Sequence, residues 1–177
     1  MYLTKCAISR KEMKESDDVI AFPYFDAQPG DPEFDCCENF ALRSEFENWH
    51  LRESVANKVH DFWIQWSREK RPILILAESE NFLIIKGLID TGVALFFLNH
   101  VFYINFATDS WKKFKTSIES TEKGDITTIE KDRLRWGTDA GKVKLNLSLE
   151  GSQRKDSIVI PIKEWQNLRD LISAISE

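Results

Sequence analysis

Glycine is scarce in this chain, and the glycine-rich loops that bind nucleotide phosphates are missing from it. Only seven of the 177 residues are glycine, and neither GxGxxG nor GxxxxGK[ST] occurs. The metalloprotease motif HExxH and the GxSxG motif of a hydrolase nucleophile are also absent. These absences favour a protein that is not an enzyme, although a Cys–His or Ser–His pair assembled by folding stays open.

Cysteine is also rare. The three cysteines, two of them adjacent, do not form the even and spaced set that is typical of a disulfide framework. The N-terminal stretch is too polar for a secretory signal peptide. We therefore expect a cytoplasmic protein, because thiols stay reduced in that compartment.

Long hydrophobic runs are few, and the longest uncharged one spans residues 91–108. A membrane-spanning helix needs about 20 apolar residues, and Gly92, Asn99 and His100 interrupt this segment. Its valine, isoleucine and phenylalanine residues favour strands, so we expect no membrane segment. The predicted antiparallel strands lie near 73–77, 82–89, 93–98 and 101–106.

Helical periodicity occurs in two long segments. Residues 40–67 carry one apolar stripe, and residues 163–176 carry another. The stripes consist of Val55, Val59, Phe62, Trp63 and Trp66, and of Trp165, Leu168, Leu171, Ile172 and Ile175. A shorter helix is expected after Thr108, followed by a loop at 119–125.

The clearest strand pattern lies near the carboxyl end. Residues 142–149 alternate strictly, with Val143, Leu145 and Leu147 on one side and polar residues on the other. We expect this strand to pair with the central strands in one antiparallel sheet. The predicted fold class is α+β, with that sheet covered by the long helix of the N-terminal half and by the C-terminal helix.

The first 38 residues form a separate predicted segment. Residues 2–8 and 19–25 are expected to form a small N-terminal hairpin, and 26–32 have the composition of a loop. The expected organisation is a hairpin and loop at 1–38 and an α+β domain at 39–177. At this length the two are expected to make one compact unit.

Residues 1–65 resemble a treble-clef zinc domain whose ligands are mostly lost. The resemblance rests on the CAIS segment that opens a hairpin and on the ALRSEF segment that opens a helix. In that family a CxxC knuckle and a second ligand pair at a helix start hold zinc. The residues at the four ligand positions are Cys6, Ser9, Leu42 and Glu45. The resemblance implies that apolar packing has replaced zinc, so no cofactor is expected.

A different metal site would use the other thiols. Its residual candidates are Cys6, Cys36, Cys37 and His50, but adjacent cysteines chelate one ion poorly. We interpret the cysteines as small buried hydrophobic residues and expect no metal. Structural roles are also expected for the three histidines, His50, His60 and His100.

The chain carries a charge of −5 at pH 7, and acidic residues concentrate between 31 and 47. An acidic surface attracts a basic partner and disfavours nucleic acid and anionic membranes. The sequence therefore predicts a non-enzymatic protein-binding module, by analogy with immunity or antitoxin-type inhibitors that mask a basic toxin. The predicted partner-binding residues are Asp31, Glu33, Asp35, Glu38, Glu45 and Trp49.

Two alternative functions stay open. A small-molecule-binding protein or enzyme would have a pocket between the sheet and the long helix. A nucleic-acid-associated module would use a basic patch near the carboxyl end. That patch contains Arg133, Arg135, Lys142, Lys144, Arg154 and Lys155.

Overall fold

The computed structural model describes residues 5–14, 16–70, 72–89, 92–120, 123–129, 132–149 and 155–175. Within these ranges, four helices and ten strands make an α+β protein, as the sequence predicts. The strands are β1 (Val19–Ala21), β2 (Phe40–Leu42), β3 (Ile73–Glu78), β4 (Phe82–Gly87), β5 (Val93–Phe97), β6 (Phe102–Phe106), β7 (Lys123–Ile129), β8 (Asp132–Asp139), β9 (Lys142–Leu149) and β10 (Lys155–Pro161). The helices are α1 (Arg43–Glu47), α2 (Arg52–Lys70), α3 (Thr108–Ser120) and α4 (Ile162–Ser173).

Strands β3 to β10 and the last two helices form two successive units of the same kind. In each unit four strands follow one another as an antiparallel meander, and a helix comes after the fourth strand. The first unit is β3 to β6 with α3, and the second is β7 to β10 with α4. Few residues separate consecutive strands, and each strand pairs with its neighbour in the chain.

The predicted single sheet is therefore divided into three sheets, the third being the pair β1 and β2. The four predicted central strands are confirmed as β3 to β6. The predicted pairing of 142–149 with them is wrong, because β9 lies between β8 and β10. The neighbours of β9 in the chain, β8 and β10, satisfy its backbone groups on both edges.

One apolar cluster joins the two meanders to α3 and α4. The Phe114 ring of α3 stacks on Phe106 with centroids 4.9 Å apart, and it meets Trp136 edge-on at 5.5 Å. Trp136 in turn lies 5.9 Å from Trp165 of α4. Such ring pairs add about 0.5–1.5 kcal/mol each beyond their buried area. The two units thus share one core.

Helix α2 packs on the opposite face of the first meander. Its Trp63 ring lies 5.6 Å from the Phe96 ring. The buried side chains on this face are Leu83, Ile85, Phe96 and Leu98. The predicted helical stripe is confirmed for Val55 and Val59, which are fully buried, whereas Trp66 is 49% exposed. In the described part of the chain, no helix is both long and apolar enough to span a bilayer.

The N-terminal segment differs from the predicted hairpin. Lys5 and Glu12 form an isolated bridge around a tight turn, in which Arg10 has a φ of 61°. β1 then pairs with β2, with Ile20 opposite Ala41, rather than with the first segment. The predicted strand at 2–8 begins outside the described residues. From Lys5 onward the chain turns back on itself and bridges Glu12, and β1 pairs with β2.

Candidate functional site

A cleft of about 750 Å³ lies where the N-terminal segment meets the second meander. Its walls come from the loop before β1, from α1 and the start of α2, from the β5–β6 turn, and from β9, β10 and the first turn of α4. Its ionisable lining residues are Asp17, Asp18, Arg43, Glu47, Arg52, His100, Lys142 and Glu164. Ligand pockets commonly enclose about 300–1,000 Å³, so the cleft is large enough for a small molecule.

Asp18 joins the N-terminal segment to β10. One carboxylate oxygen accepts a hydrogen bond from Arg43 Nε at 3.2 Å, and the other accepts one from Ser157 Oγ at 2.8 Å. The backbone N–H of Arg43 also donates to the Asp18 carbonyl at 2.9 Å. Asp18 directly precedes β1 and Arg43 directly follows β2, so the pairing of these strands brings the two residues together.

A buried guanidinium, that of Arg43, forms one wall of the cleft. The side chain is 7% exposed, and the guanidinium lies 5.8 Å from the centroid of the Phe102 ring. Nε reaches Asp18, but Nη1 is buried and has no hydrogen-bond partner among the described residues. A buried donor without an acceptor is costly, because burial has removed its water. An acceptor oxygen on a ligand in the cleft would satisfy Nη1.

Glu47 makes hydrogen bonds with both His100 and Arg52. His100 is buried, and its Nδ1 lies 3.0 Å from Glu47 Oε1, while Arg52 Nη1 donates to Glu47 Oε2 at 3.2 Å. Burial raises the pKa of Glu47, but the hydrogen bond and charge of His100, together with Arg52, outweigh it and lower that pKa. The carboxylate therefore stays ionised and orients the imidazole through Nδ1.

The pKa of Glu164 is shifted in the opposite direction to that of Glu47. It lies in the first turn of α4, and its Oε1 is buried without a hydrogen-bond partner in the described part of the chain. Burial raises its pKa, against the opposing charges of His100 and Arg52. The cleft thus contains an ionised carboxylate, an imidazole and a carboxyl that binds a proton readily, which are groups suited to proton transfer.

The structure spreads the predicted partner-binding residues over the N-terminal segment. Glu33 is buried and accepts a hydrogen bond from Lys58 Nζ at 2.6 Å. Asp35 pairs with Arg10, and Glu45 pairs with Lys11. The other three predicted residues are Asp31, which is half-buried, Glu38, which is exposed, and Trp49, which is half-buried. Three of the five acids therefore have cations beside them, and the acidic surface stays a prediction.

The predicted residual metal ligands do not form a cluster. Cys6 and Cys36 are buried, Cys37 donates its thiol to the Phe25 carbonyl at 3.3 Å, and His50 is exposed. Burial, with smaller contributions from neighbouring charges, raises the pKa of Cys36 to about 12. Among the described residues, no three His, Cys, Asp or Glu side chains are placed to hold one metal ion.

The treble-clef positions show how a thiol is accommodated there. Cys6 Sγ accepts a hydrogen bond from the backbone N–H of Leu42 at 3.3 Å. Burial opposes ionisation of Cys6, but the nearby Ser9 side chain and backbone N–H groups lower its pKa overall. Glu45 pairs with Lys11 instead of facing Cys6. The resemblance to that family stays a proposal.

The residues of the cleft were not predicted as a site. The sequence predicts a structural role for His100 and indicates no functional role for Asp18, Arg43 or Glu164. Asp18 and Ser157 are 139 positions apart, and no spacing rule connects them. The available signal was weak, namely one polar turn containing His100 between two strongly apolar strands. The cleft also lies elsewhere than the predicted pocket, since only the first residue of α2 lines it.

Comparisons with known proteins add little. No family model and no curated protein matches this chain. Among solved structures, one chain of a guideRNA-binding protein complex bound to a gRNA is similar to 60% of this chain, over 90% of its own length. The identity is 12% and the TM-score is 0.35. A likeness this low carries no argument about fold or function.

Proposed function

We propose that the cleft binds a small anionic molecule and that Arg43 is the main recognition residue. The observation that carries the proposal is the buried Nη1 of Arg43, a charged donor without an acceptor at the wall of a cleft. Nε of the same guanidinium is held by Asp18, which fixes the direction of the remaining donors. Arginine recognises carboxylate and phosphate oxygens through such a fixed fork.

Part of the charge around Arg43 is favourable to an anionic ligand. Arg52 and Lys142 add two more cations to the lining. Glu47 accepts a hydrogen bond from Arg52, which fixes the position of the Arg52 side chain. Helix α4 also begins at the cleft, and its N-cap residue Pro161 provides no side-chain cap for the first N–H groups. The partial positive charge of a helix N-terminus favours an anion in the same space.

Arg43→Lys is expected to weaken anion binding by at least about tenfold, since a charge-assisted hydrogen bond contributes about 1.5–3 kcal/mol. Lysine keeps the positive charge beside Asp18 but lacks the second nitrogen of the fork. Calorimetric titration with phosphate, sulfate and acetate measures the effect. Arg68→Lys is the matched control, because Arg68 is exposed on α2 away from the cleft. If the parent protein binds none of the three anions, the proposal is refuted.

A second candidate function is nucleic-acid binding on the outer face of the second meander. Residues alternate between the two faces of a strand, and Leu134, Trp136, Val143 and Leu145 are buried on the inner face. The exposed cations of the outer face are Arg133, Arg135, Lys142 and Lys144. Asp139 shares that face, opposite Lys142. Arg154 lies outside the described residues, as does the side chain of Lys155, so these two predicted residues cannot be assigned to either face of the sheet.

The double variant Arg135→Gln/Lys144→Gln tests this second candidate. We expect it to weaken binding of a labelled single-stranded oligonucleotide. We also expect a shallower slope of log affinity against log salt concentration, by the amount that corresponds to the loss of about two phosphate contacts. Fluorescence polarisation at several salt concentrations measures both quantities. Lys112→Gln/Lys113→Gln on α3 removes the same charge from exposed positions elsewhere. Equal affinities of the two double variants would refute a specific role for this face.

The non-enzymatic protein-binding function and the cytoplasmic location remain part of what we propose, on sequence grounds. The three cysteines are free thiols, which suits a reducing compartment. A basic partner would meet the exposed acid Glu38 and the ion-paired Asp35 rather than Glu33. Glu33 is buried against Lys58, so reversing its charge would disturb folding as well as any partner.

A further inference from the structure

Three ionisable groups from separate parts of the chain meet in the cleft. Glu47 comes from α1, His100 from the β5–β6 turn and Glu164 from the first turn of α4. His100 is 6% exposed, and its Nδ1 lies 3.0 Å from Glu47 Oε1. Glu164 has a buried oxygen without a partner among the described residues. Glu47, His100 and Glu164 can each bind or release a proton, and all three line the cleft that would hold the proposed ligand.

The cleft has more carboxyls than fixed cations. Four carboxyls and three arginine or lysine side chains line it, so the lining has a net charge of −1 when His100 is neutral and every carboxyl is ionised. An added anion repels these carboxylates more strongly in a partly dehydrated cleft than in water. One proton bound within the lining brings its charge to zero and removes much of this repulsion.

We propose that anion binding in the cleft is coupled to the uptake of one proton by His100. This inference rests on the anion-binding function proposed above, and it adds regulation of that site by pH. The proton comes from solvent and binds Nε2, because Nδ1 already donates to Glu47. The imidazolium then keeps its pair with Glu47 and donates Nε2–H to the anion. Affinity therefore rises as the pH falls.

Seven charged groups line the cleft together with His100. They are Asp17 and Asp18 before β1, Arg43 and Glu47 on α1, Arg52 on α2, Lys142 on β9 and Glu164 on α4. Glu47 touches the ring directly, and its lowered pKa means that it stays ionised and stabilises the imidazolium. Glu164, whose pKa burial raises, is the competing acceptor. The experiment therefore has to separate His100 from Glu164.

Sulfate is the probe, because it stays dianionic over the whole range of interest. We expect its dissociation constant to fall by about tenfold from about pH 8 to about pH 6. We also expect the pH of a weakly buffered protein solution to rise when sulfate is added. His100→Gln, which keeps a donor for Glu47, should bind sulfate with little dependence on pH. Glu164→Gln is the matched variant, and it should keep the pH dependence.

A second measurement needs no variant in the cleft. The chain has three histidines, so their NMR titration curves can be followed individually, and sulfate should move the midpoint of His100 to higher pH. Sulfate binding that is independent of pH would overturn the inference and leave the proposed function standing. The same holds for pH dependence that survives in His100→Gln but disappears in Glu164→Gln. Absence of sulfate, phosphate and acetate binding at every pH would refute the proposed function itself.

Discussion

Asp18→Ala is expected to lower the free energy of unfolding by about 2 to 4 kcal/mol. The substitution removes the counter-ion of Arg43, whose guanidinium stays buried, and also the acceptor of the Ser157 hydroxyl. Removal of one partner from a buried ion pair costs more than the pair contributes, because an unpaired charge remains away from water. Urea unfolding followed by tryptophan fluorescence measures the difference.

The control for this prediction is Asp35→Ala. Asp35 also pairs with an arginine, Arg10, but the two side chains are 53% and 62% exposed, so the expected loss is below about 1 kcal/mol. Adding Arg43→Met to Asp18→Ala should recover part of the lost stability, since it removes the unpaired charge. Equal losses in the two single variants would show that Asp18 does not balance a buried charge on Arg43, and the anion site would lose its basis.

The sequence predicted those parts of the fold that depend on neighbouring residues. Strands β3 to β6 are marked by β-branched and aromatic residues, and the turns between them are short, so both their existence and their antiparallel pairing follow from local pattern. The alternation in β9 likewise predicted a strand with one buried face. That alternation says nothing about which sheet a strand joins, because any apolar partner face would bury the same side chains. The division into separate sheets was therefore not predictable.

The cleft depends on contacts that no local pattern records. Arg43 reads as an ordinary charged residue at a helix start, and Asp18 as one of two acids in a polar turn. Only the pairing of β1 with β2 places them together, and only packing against β10 and α4 adds Ser157 and Glu164. Charge counts along the sequence do not record the ion pairs that folding forms. The acids at 33, 35 and 45 belong to the predicted acidic surface, and each has a cation beside it in the folded chain.

Gly124→Ala is expected to lower the free energy of unfolding by about 2 to 3 kcal/mol. Gly124 lies in β7 directly opposite Trp136 of β8, and a Cβ atom added there would clash with the indole ring. Trp136 is 4% exposed and packs between Phe114 and Trp165, so its ring has no open space into which it can move. Chemical denaturation monitored by tryptophan fluorescence measures the loss.

Gly137→Ala is the matched control for Gly124→Ala, because Gly137 lies in the same hairpin and pairs with Lys123. A Cβ atom at Gly137 meets nothing closer than the Lys123 side chain at 3.8 Å, so that change should cost less than about 0.5 kcal/mol. Combining Gly124→Ala with Trp136→Phe should cost less than the sum of the two single changes, since the smaller ring vacates the space that the methyl group enters. Strictly additive losses would mean that the indole does not cover Gly124. The packing of β7 onto the shared core would then have to differ from the arrangement described.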